Sequence, residues 1–222
     1  MQIEINKLVR AKRRTIALII ERDGSLTVRA PKRASLGAIE QFINEKSNWI
    51  LRTRERLKAI VASPQKQYIN GEQFLYLGNL YELSLVPPQR PALKFESGFT
   101  LGKSAQPHGE AVFIKWYKEQ AFQVISERVM NYSKQYGFSP KRVKISSART
   151  RWGSCSPDGT LNFTWRLIMA PLPVVDYVVV HELVHLNIKN HSPKFWKAVE
   201  MIMPEYKTHR KWLRENGDRL NL

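Results

Sequence analysis

The chain has almost no cysteine, no long apolar run and few acidic residues. Its 222 residues contain one cysteine, Cys155, which excludes a disulfide within the chain and indicates a reducing compartment. No stretch of about 18 or more apolar residues is present, and the early charges at the N-terminus differ from a secretory signal. These absences predict a cytoplasmic protein that does not interact with a membrane.

Positive charge dominates both ends of the chain. Lys and Arg number 36 against 19 Asp and Glu, which gives a net charge of +17. Residues 1–70 carry a net charge of +9, residues 71–110 of −1 and residues 111–222 of +9. Such a surface attracts polyanions, so nucleic acid or a nucleotide is a candidate partner. A solvated basic face without a dedicated partner is equally expected.

The first third of the chain predicts β-hairpins and a long basic helix. Two apolar segments, Thr15–Ile20 and Ser25–Ala30, flank Asp23-Gly24, a pair typical of a hairpin turn. Ser35 is a suitable cap for a helix that continues to about Ala62. The helix carries the densest group of basic residues, which are Arg52, Arg54, Arg56 and Lys58.

The remaining pattern predicts an α+β protein with two domains. Tyr68–Val86 and Ala92–Leu101 each predict a pair of strands, and residues 102–109 predict a linker. We therefore expect an N-terminal α+β subdomain at residues 1–105 and a second domain at residues 106–222. The elements predicted for the second domain are a helix at Ala111–Tyr136, strands at Val143–Trp152 and Leu161–Ile168, and a helix that begins near Pro171.

The motif His181-Glu182-Leu183-Val184-His185 lies on this last helix. Residues four apart share one helical face, so His181 and His185 can point two ring nitrogens at one metal ion. Glu182 is too close in sequence to be an easy third ligand, but it can take a proton from a water on the metal. The motif therefore predicts a catalytic metal site.

A third ligand requires the helix to end before His191. Asn190 is predicted to end it in a left-handed conformation, and Ser192 with Pro193 is predicted to start the next helix, which reaches Met203. His191 would then lie in a tight corner facing the metal. The alternatives for the third ligand are Glu200 and His209.

Three histidines without a good fourth ligand favour a catalytic site over a structural one. Structural zinc is bound by four protein ligands, usually with several cysteines, whereas catalytic zinc keeps one position for water. Cys155 is the only cysteine, and we interpret it as a packing residue. Zinc is the expected ion, although imidazoles also suit other first-row metals.

Several motifs together resemble the YgjP-like metallopeptidases, a family related to the WLM and SprT-like zinc proteases. The resemblance covers the C-terminal half closely, and the N-terminal half is similar in its hairpins and basic helix. The motifs that carry it are Arg151-Trp152-Gly153-Ser154-Cys155-Ser156, Leu161-Asn162, Asp176–Leu186, Asn190-His191-Ser192 and Phe195-Trp196.

The resemblance implies a zincin-like domain with His181, His185 and His191 on Zn2+ and Glu182 as the general base. It also implies that one strand before the metal helix binds an extended peptide or protein substrate. Arg151 is the arginine best placed to meet a substrate carboxylate or phosphate, ahead of Arg149 and Arg166. Tyr177 or Arg151 is expected to help stabilise the oxyanion.

Three functions are compatible with these patterns. The first is a zinc peptidase, which the motif and the resemblance favour. The second is a metal-dependent hydrolase of nucleotides or other phosphoanhydrides, which the same open site in a basic protein would allow. The third is a nucleic-acid-binding module whose peptidase site acts on bound proteins or is inactive.

Overall fold

A computed structural model of the chain describes residues 3–21, 23–61 and 66–222. It has a mixed α and β architecture, which confirms the predicted fold class. The internal contacts divide the chain into two units, Met1–Pro64 and Gln65–Leu222. This division lies before the boundary expected at residue 105, because the strands of residues 73–102 share a core with the helices that follow.

The first unit contains a three-stranded sheet of β1 (Lys7–Ala11), β2 (Ala17–Ile20) and β3 (Leu26–Pro31), with β3 in the centre. β2 and β3 form the predicted hairpin. In its turn, the Asp23 carboxylate accepts a hydrogen bond of 2.9 Å from the backbone N–H of Ser25. β1 pairs with β3 in parallel. Parallel partners are joined by longer connections, so local sequence patterns do not predict this pairing.

Two helices follow where the sequence predicts a single one. α1 (Leu36–Glu45) begins after Ser35, whose hydroxyl accepts a hydrogen bond from a backbone N–H three residues later, as a helix cap does. Lys46 has a φ of −103° and a ψ of 9°, which interrupts the helix, and α2 (Ser47–Val61) begins directly after it. The prediction of one uninterrupted helix is wrong. Its expected end at Ala62 lies outside the described residues.

The described core of the first unit is small and aliphatic. It consists of Leu26, Val28, Ala30, Ile39, Ile43 and Ile50. Arg54 on α2 donates a hydrogen bond of 2.8 Å to the backbone carbonyl of Gly24. The side chains of Arg56 and Lys58 lie outside the described residues, so the predicted basic face of α2 stays a prediction.

The second unit begins with a four-stranded sheet in the order β4-β5-β7-β6. The strands fall where the sequence predicts two pairs. The first pair turns at Gly78, whose φ of +85° favours glycine. A Cβ at Gly78 would lie 2.8 Å from Pro171 Cγ, so the turn packs closely against the start of a later helix. The strands are β4 (Gln73–Tyr76), β5 (Asn79–Val86), β6 (Leu93–Phe95) and β7 (Phe99–Gly102).

The predicted linker at residues 102–109 is not a linker. Residues Lys103–His108 form a 3-10 helix that leads directly into α3 (Gly109–Tyr136). The first turns of α3 pack aromatic rings against the sheet, where Phe113 stacks on Phe74 at a centroid distance of 4.1 Å. Small polar residues and a proline misled the prediction, because they also suit a short 3-10 helix. α3 ends, as predicted, at Gly137 with a φ of +74°.

A second sheet precedes the motif helix. It contains β8 (Arg142–Ser146), β9 (Gly153–Cys155) and β10 (Thr160–Thr164), with β10 in the centre. β9 and β10 are antiparallel and turn at Gly159, as predicted. The single strand predicted at 143–152 is wrong, because β8 ends at Ser146 and pairs with β10 in parallel. The strand predicted to reach Ile168 ends at Thr164 in a buried 3-10 helix.

Three helices complete the second unit. α4 (Leu172–Val184) begins after Pro171, as predicted, and ten of its 13 residues are buried. α5 (Pro193–Ile202) begins after Ser192, also as predicted, and α6 (Tyr206–Asn216) follows. Among the described residues, no helix combines the length and apolar character that a membrane span needs.

Candidate metal centre

An ion pair joins α4 to α3 and fixes the helix that carries the motif. Arg128 Nε lies 2.6 Å from Asp176 Oδ1, and Arg128 Nη2 lies 2.8 Å from Asp176 Oδ2. This bidentate geometry gives orientation as well as energy. Asp176 is buried, and its position is one turn before the motif, so the pair holds α4 at a defined rotation.

The end of α4 differs from the prediction. The helix ends at Val184, and the backbone N–H groups that follow bond to carbonyls three or four residues back. Asn190 does not have a left-handed backbone, so its expected role is wrong. Its side chain instead accepts a hydrogen bond of 3.3 Å from the Ser192 backbone N–H. The chain leaves the helix six residues earlier than expected, which gives it a longer path back to the motif.

Three imidazole nitrogens converge at the end of α4. His191 Nε2 lies 3.0 Å from His181 Nε2 and 3.1 Å from His185 Nε2. Among the described residues, these three histidines are the group of ligand-type side chains close enough to hold a metal ion. Nitrogens about 2.0–2.1 Å from a tetrahedral ion would be about 3.3 Å apart, so the observed spacing fits a metal with only small adjustment.

Hydrogen bonds alone account poorly for this convergence. His185 Nδ1 lies 2.9 Å from the Ile188 carbonyl, so that nitrogen carries the proton and Nε2 presents a lone pair. His191 Nε2 carries at most one proton and cannot donate to both neighbours. A cation accepts all three lone pairs, and the Ile188 contact is the kind of supporting bond that orients a metal-binding histidine.

The protein favours neutral imidazoles at this place. Burial is the main cause that lowers the pKa of His181 to about 3, and the charges of His185, His191 and Arg210 contribute to the same shift. Burial, followed by the charges of His185 and Arg210, also lowers the pKa of His191. Only a deprotonated imidazole binds a metal, so these shifts preserve the ligand form at neutral pH.

Aromatic side chains position the exposed third histidine. The ring of His191 stacks on Trp196 at a centroid distance of 5.6 Å, and Trp196 stacks on Tyr206 at 5.5 Å. The ring of Phe195 lies 4.9 Å from the rings of both His181 and His191. The start of α5 therefore supplies the wall that directs His191 towards α4.

Glu182 is buried beside the cluster. Burial raises its pKa to about 7, although the charge of Arg151 opposes the shift. Its Oε2 atom has no hydrogen-bond partner among the described residues. A Cβ on Gly153 would lie 2.6 Å from Glu182 Oε1, so β9 leaves space for the carboxylate only because residue 153 is glycine. Glu182 is thus confined by β9, and its Oε2 is an unbonded acceptor in the cavity that His181 also lines.

A cavity of about 350 Å³ opens beside His181 and Glu182. One wall comes from the β9 region and α4, and the other comes from α6. The residues that line it are Trp152, Gly153, Tyr177, Val178, His181, Glu182, Arg210, Leu213 and Arg214. The reactive groups of the motif therefore face a space of the size that ligands occupy.

A scan against protein-family models matches residues 14–216 to a model described as YgjP-like, metallopeptidase domain. The chain belongs to the YgjP-like family. This confirms the resemblance and shows a metallopeptidase, a class that implies a bound metal ion and peptide or protein substrates.

The other two comparisons give this YgjP-like chain either no match or a distant one. A search of curated proteins finds no match. Among solved structures, one match is the crystal structure of the metallopeptidase zymogen of Pyrococcus abyssi abylysin. It has a TM-score of 0.38 and 21% identity, and the match covers 41% of this chain and 93% of that chain.

The predicted substrate contacts of the YgjP-like domain lie in different settings. Tyr177 lines the cavity, and burial raises its pKa to about 12. Arg151 is exposed, and its positive charge acts on Glu182 by lowering the pKa of that carboxyl group. Arg166 is buried, with its Nε bonded to Asn221 Oδ1 at 3.1 Å and its guanidinium over the Trp165 ring, so it supports the core.

The alternative ligands lie elsewhere in the described structure. Glu200 pairs with Lys207, with 3.1 Å between Oε1 and Nζ, and His209 is not part of the histidine cluster. The sequence did not single out Arg210, Arg214 or Gly153 as individual site residues. The two arginines could have been found together from the sequence, because residues four apart in a helix lie on one face.

Proposed function

We propose that this metallopeptidase is zinc-dependent, with His181, His185 and His191 as ligands and Glu182 as the general base. The observation that carries the proposal is the convergence of three Nε2 atoms, in which that of His191 lies 3.0 Å from His181 and 3.1 Å from His185. Zinc suits imidazole ligands, and a set of three leaves a coordination position for solvent. Among the described residues, the cluster has no fourth His, Cys or carboxylate ligand.

Zinc, when bound, would supply a Lewis acid that polarises the scissile carbonyl and acidifies water. Glu182 would take a proton on its unbonded Oε2 from the attacking water and pass it to the leaving amine. A pKa of about 7 suits both directions of transfer, because the carboxylate is neither too weak a base nor too weak an acid near neutral pH.

Tyr177 and Arg151 are proposed to contact the substrate. Tyr177 keeps its proton at neutral pH because its pKa is about 12, so its hydroxyl can donate to a carbonyl oxygen in the cavity. Arg151 is exposed next to the buried carboxylate, where a substrate backbone or side-chain oxygen can meet its guanidinium.

The general-base role is tested by Glu182→Gln. We expect the variant to keep stoichiometric zinc and to lose at least about 100-fold in kcat on casein, because the amide cannot accept the proton. Glu200→Gln is the control, since Glu200 is exposed and lies outside the cluster. Hydrolysis by Glu182→Gln at the wild-type rate would refute the assigned role.

The ligand set is tested by His191→Ala together with metal analysis of untagged protein. We expect wild-type protein to contain one zinc per chain and the variant to lose most of it. His209→Ala should keep its zinc, because His209 is outside the cluster. Equal zinc content in His191→Ala and wild-type protein would remove His191 from the ligand set.

Hydrolysis of nucleotides is the second candidate, because two arginines line the cavity beside the histidines. Assays of nucleoside triphosphates and casein in parallel separate the two activities. Nucleic-acid binding by the basic surface gains no support from the family match and stays a prediction. Such binding would weaken steeply as salt rises.

A further inference from the structure

The cavity beside the histidine cluster has one cationic side. Arg210 and Arg214 are four residues apart on α6, and both line this cavity. Among the described residues, Glu182 contributes the only carboxylate to the cavity wall, and this residue is buried. A ligand in this cavity therefore has two guanidinium groups within its lining, together with the reactive groups.

The two arginines are available to a ligand. Within the described part of the chain, Arg210 has no ion-pair partner, and its guanidinium lies over the Trp196 ring at 4.6 Å. Stacking holds the group in place while its edge stays free to donate hydrogen bonds. Arg214 Nη2 lies 3.8 Å from Glu215 Oε1, and both side chains are more than half exposed, so this pair is weak.

Both walls of the cavity also carry apolar side chains. Trp152, Val178 and Leu213 line the same cavity, and its volume of about 350 Å³ lies near the lower end of the ligand cavities of proteins. A space of this size suits one or two amino-acid residues. Apolar side chains next to two guanidinium groups suit a short aliphatic stem that ends in an anion.

We propose that Arg210 and Arg214 form a carboxylate subsite, which selects peptides with an acidic group next to the scissile bond. The proposal rests on the peptidase function proposed above. The carboxylate can be an Asp or Glu side chain or the free C-terminus of the peptide. Both sources present the same planar anion, which matches the fork of an arginine side chain.

The probes are alanine-based octapeptides in which a single Glu or Gln is moved through every position. Each is made with a free and with an amidated C-terminus. Binding is measured by fluorescence anisotropy on zinc-loaded Glu182→Gln protein, so it requires no turnover. Cleavage is measured by mass spectrometry on zinc-loaded wild-type protein, as kcat/KM for each peptide.

At one position, or for the free C-terminus, we expect the acidic peptide to bind about five- to tenfold more tightly than its neutral match. The same ratio should appear in kcat/KM. Arg210→Gln and Arg214→Gln should each reduce the ratio towards one, and Arg210→Lys should restore part of it. Lys211→Gln is the matched control on α6, because Lys211 is exposed and does not line the cavity.

The outcomes separate the subsite from the peptidase function. Acidic and neutral peptides that bind equally at every position would overturn the subsite, whether or not cleavage occurs. A ratio that persists in both arginine variants, or tight binding of a nucleoside triphosphate without any peptide preference, would also overturn it. An acidic preference in binding without any cleavage would support the subsite and contradict the peptidase function.

Discussion

The two units of the chain differ in what their cores are made of. Among the described residues, the first unit buries six aliphatic residues, whereas the second buries 31 hydrophobic residues, many of them aromatic. The candidate metal centre lies entirely in the second unit. Small cores give marginal stability, so the site belongs to the unit from which we expect the larger free energy of unfolding.

The largest expected effect is that of Phe113→Ala in the second unit. Phe113 is fully buried and contacts the rings of Tyr68, Phe74 and Phe99. Removing the ring should lower the free energy of unfolding by about 3–5 kcal/mol. Zinc content and the thermal transition, followed by calorimetry, should fall together because the site depends on this core.

Ile39→Ala is the matched substitution in the first unit. Ile39 is also fully buried, and its truncation should cost about 2–5 kcal/mol in that unit. We expect zinc affinity to stay within about twofold of wild type, because no ligand comes from this unit. A clear loss of zinc from Ile39→Ala would show that the two units are not independent.

Asp176→Asn is expected to have an intermediate effect. The substitution removes the charge that pairs with Arg128 and loosens α4 against α3. Fully buried pairs cost about 3–5 kcal/mol when one partner is removed, but the Arg128 side chain is 26% exposed, so we expect about 2 kcal/mol.

Urea denaturation measures this loss. Glu119→Gln on α3 is the control, because its pair with Lys115 is exposed and should contribute less than about 0.5 kcal/mol. If the two variants lose equal stability, the Arg128–Asp176 pair does not fix the motif helix.

Gly153→Ala is expected to cost about as much stability as Asp176→Asn and to affect the site most directly. The new Cβ would lie 2.6 Å from Glu182 Oε1, so either the carboxylate or β9 must move. We expect a stability loss of about 1–3 kcal/mol and a fall in kcat of tenfold or more, with zinc retained.

Gly37→Ala in the first unit is the control for a glycine substitution. A Cβ there meets no atom within 4 Å, and alanine favours the helix, so stability should stay equal or rise slightly. Full activity of Gly153→Ala would show that the close approach of β9 does not position Glu182.

Local patterns in the sequence predicted much of the second unit. Helical spacing placed His181 and His185 on one side of α4, and the structure brings His191 to them. The hairpins were predicted because glycine stands at their turns. Gly78 and Gly159 have the positive φ that such turns require. These features depend on neighbours in sequence, where backbone preferences are strong.

Features that depend on distant contacts were missed. The parallel pairing of β8 with β10 split a predicted strand, and the end of α4 came at Val184 although Asn190 is the better terminator by preference. Arg210 and Arg214 reach the cavity only because α6 packs on α4. Composition and spacing contain no information about such packing.

The burial of α4 on nearly all sides has a consequence for metal exchange. A helix with ten of 13 residues buried opens only when the surrounding core opens, so its amide protons should exchange with solvent at the rate of global unfolding. His181 is therefore held in place before any ion arrives. A chelator should remove the ion and leave a preformed metal site, which binds metal again without a refolding step.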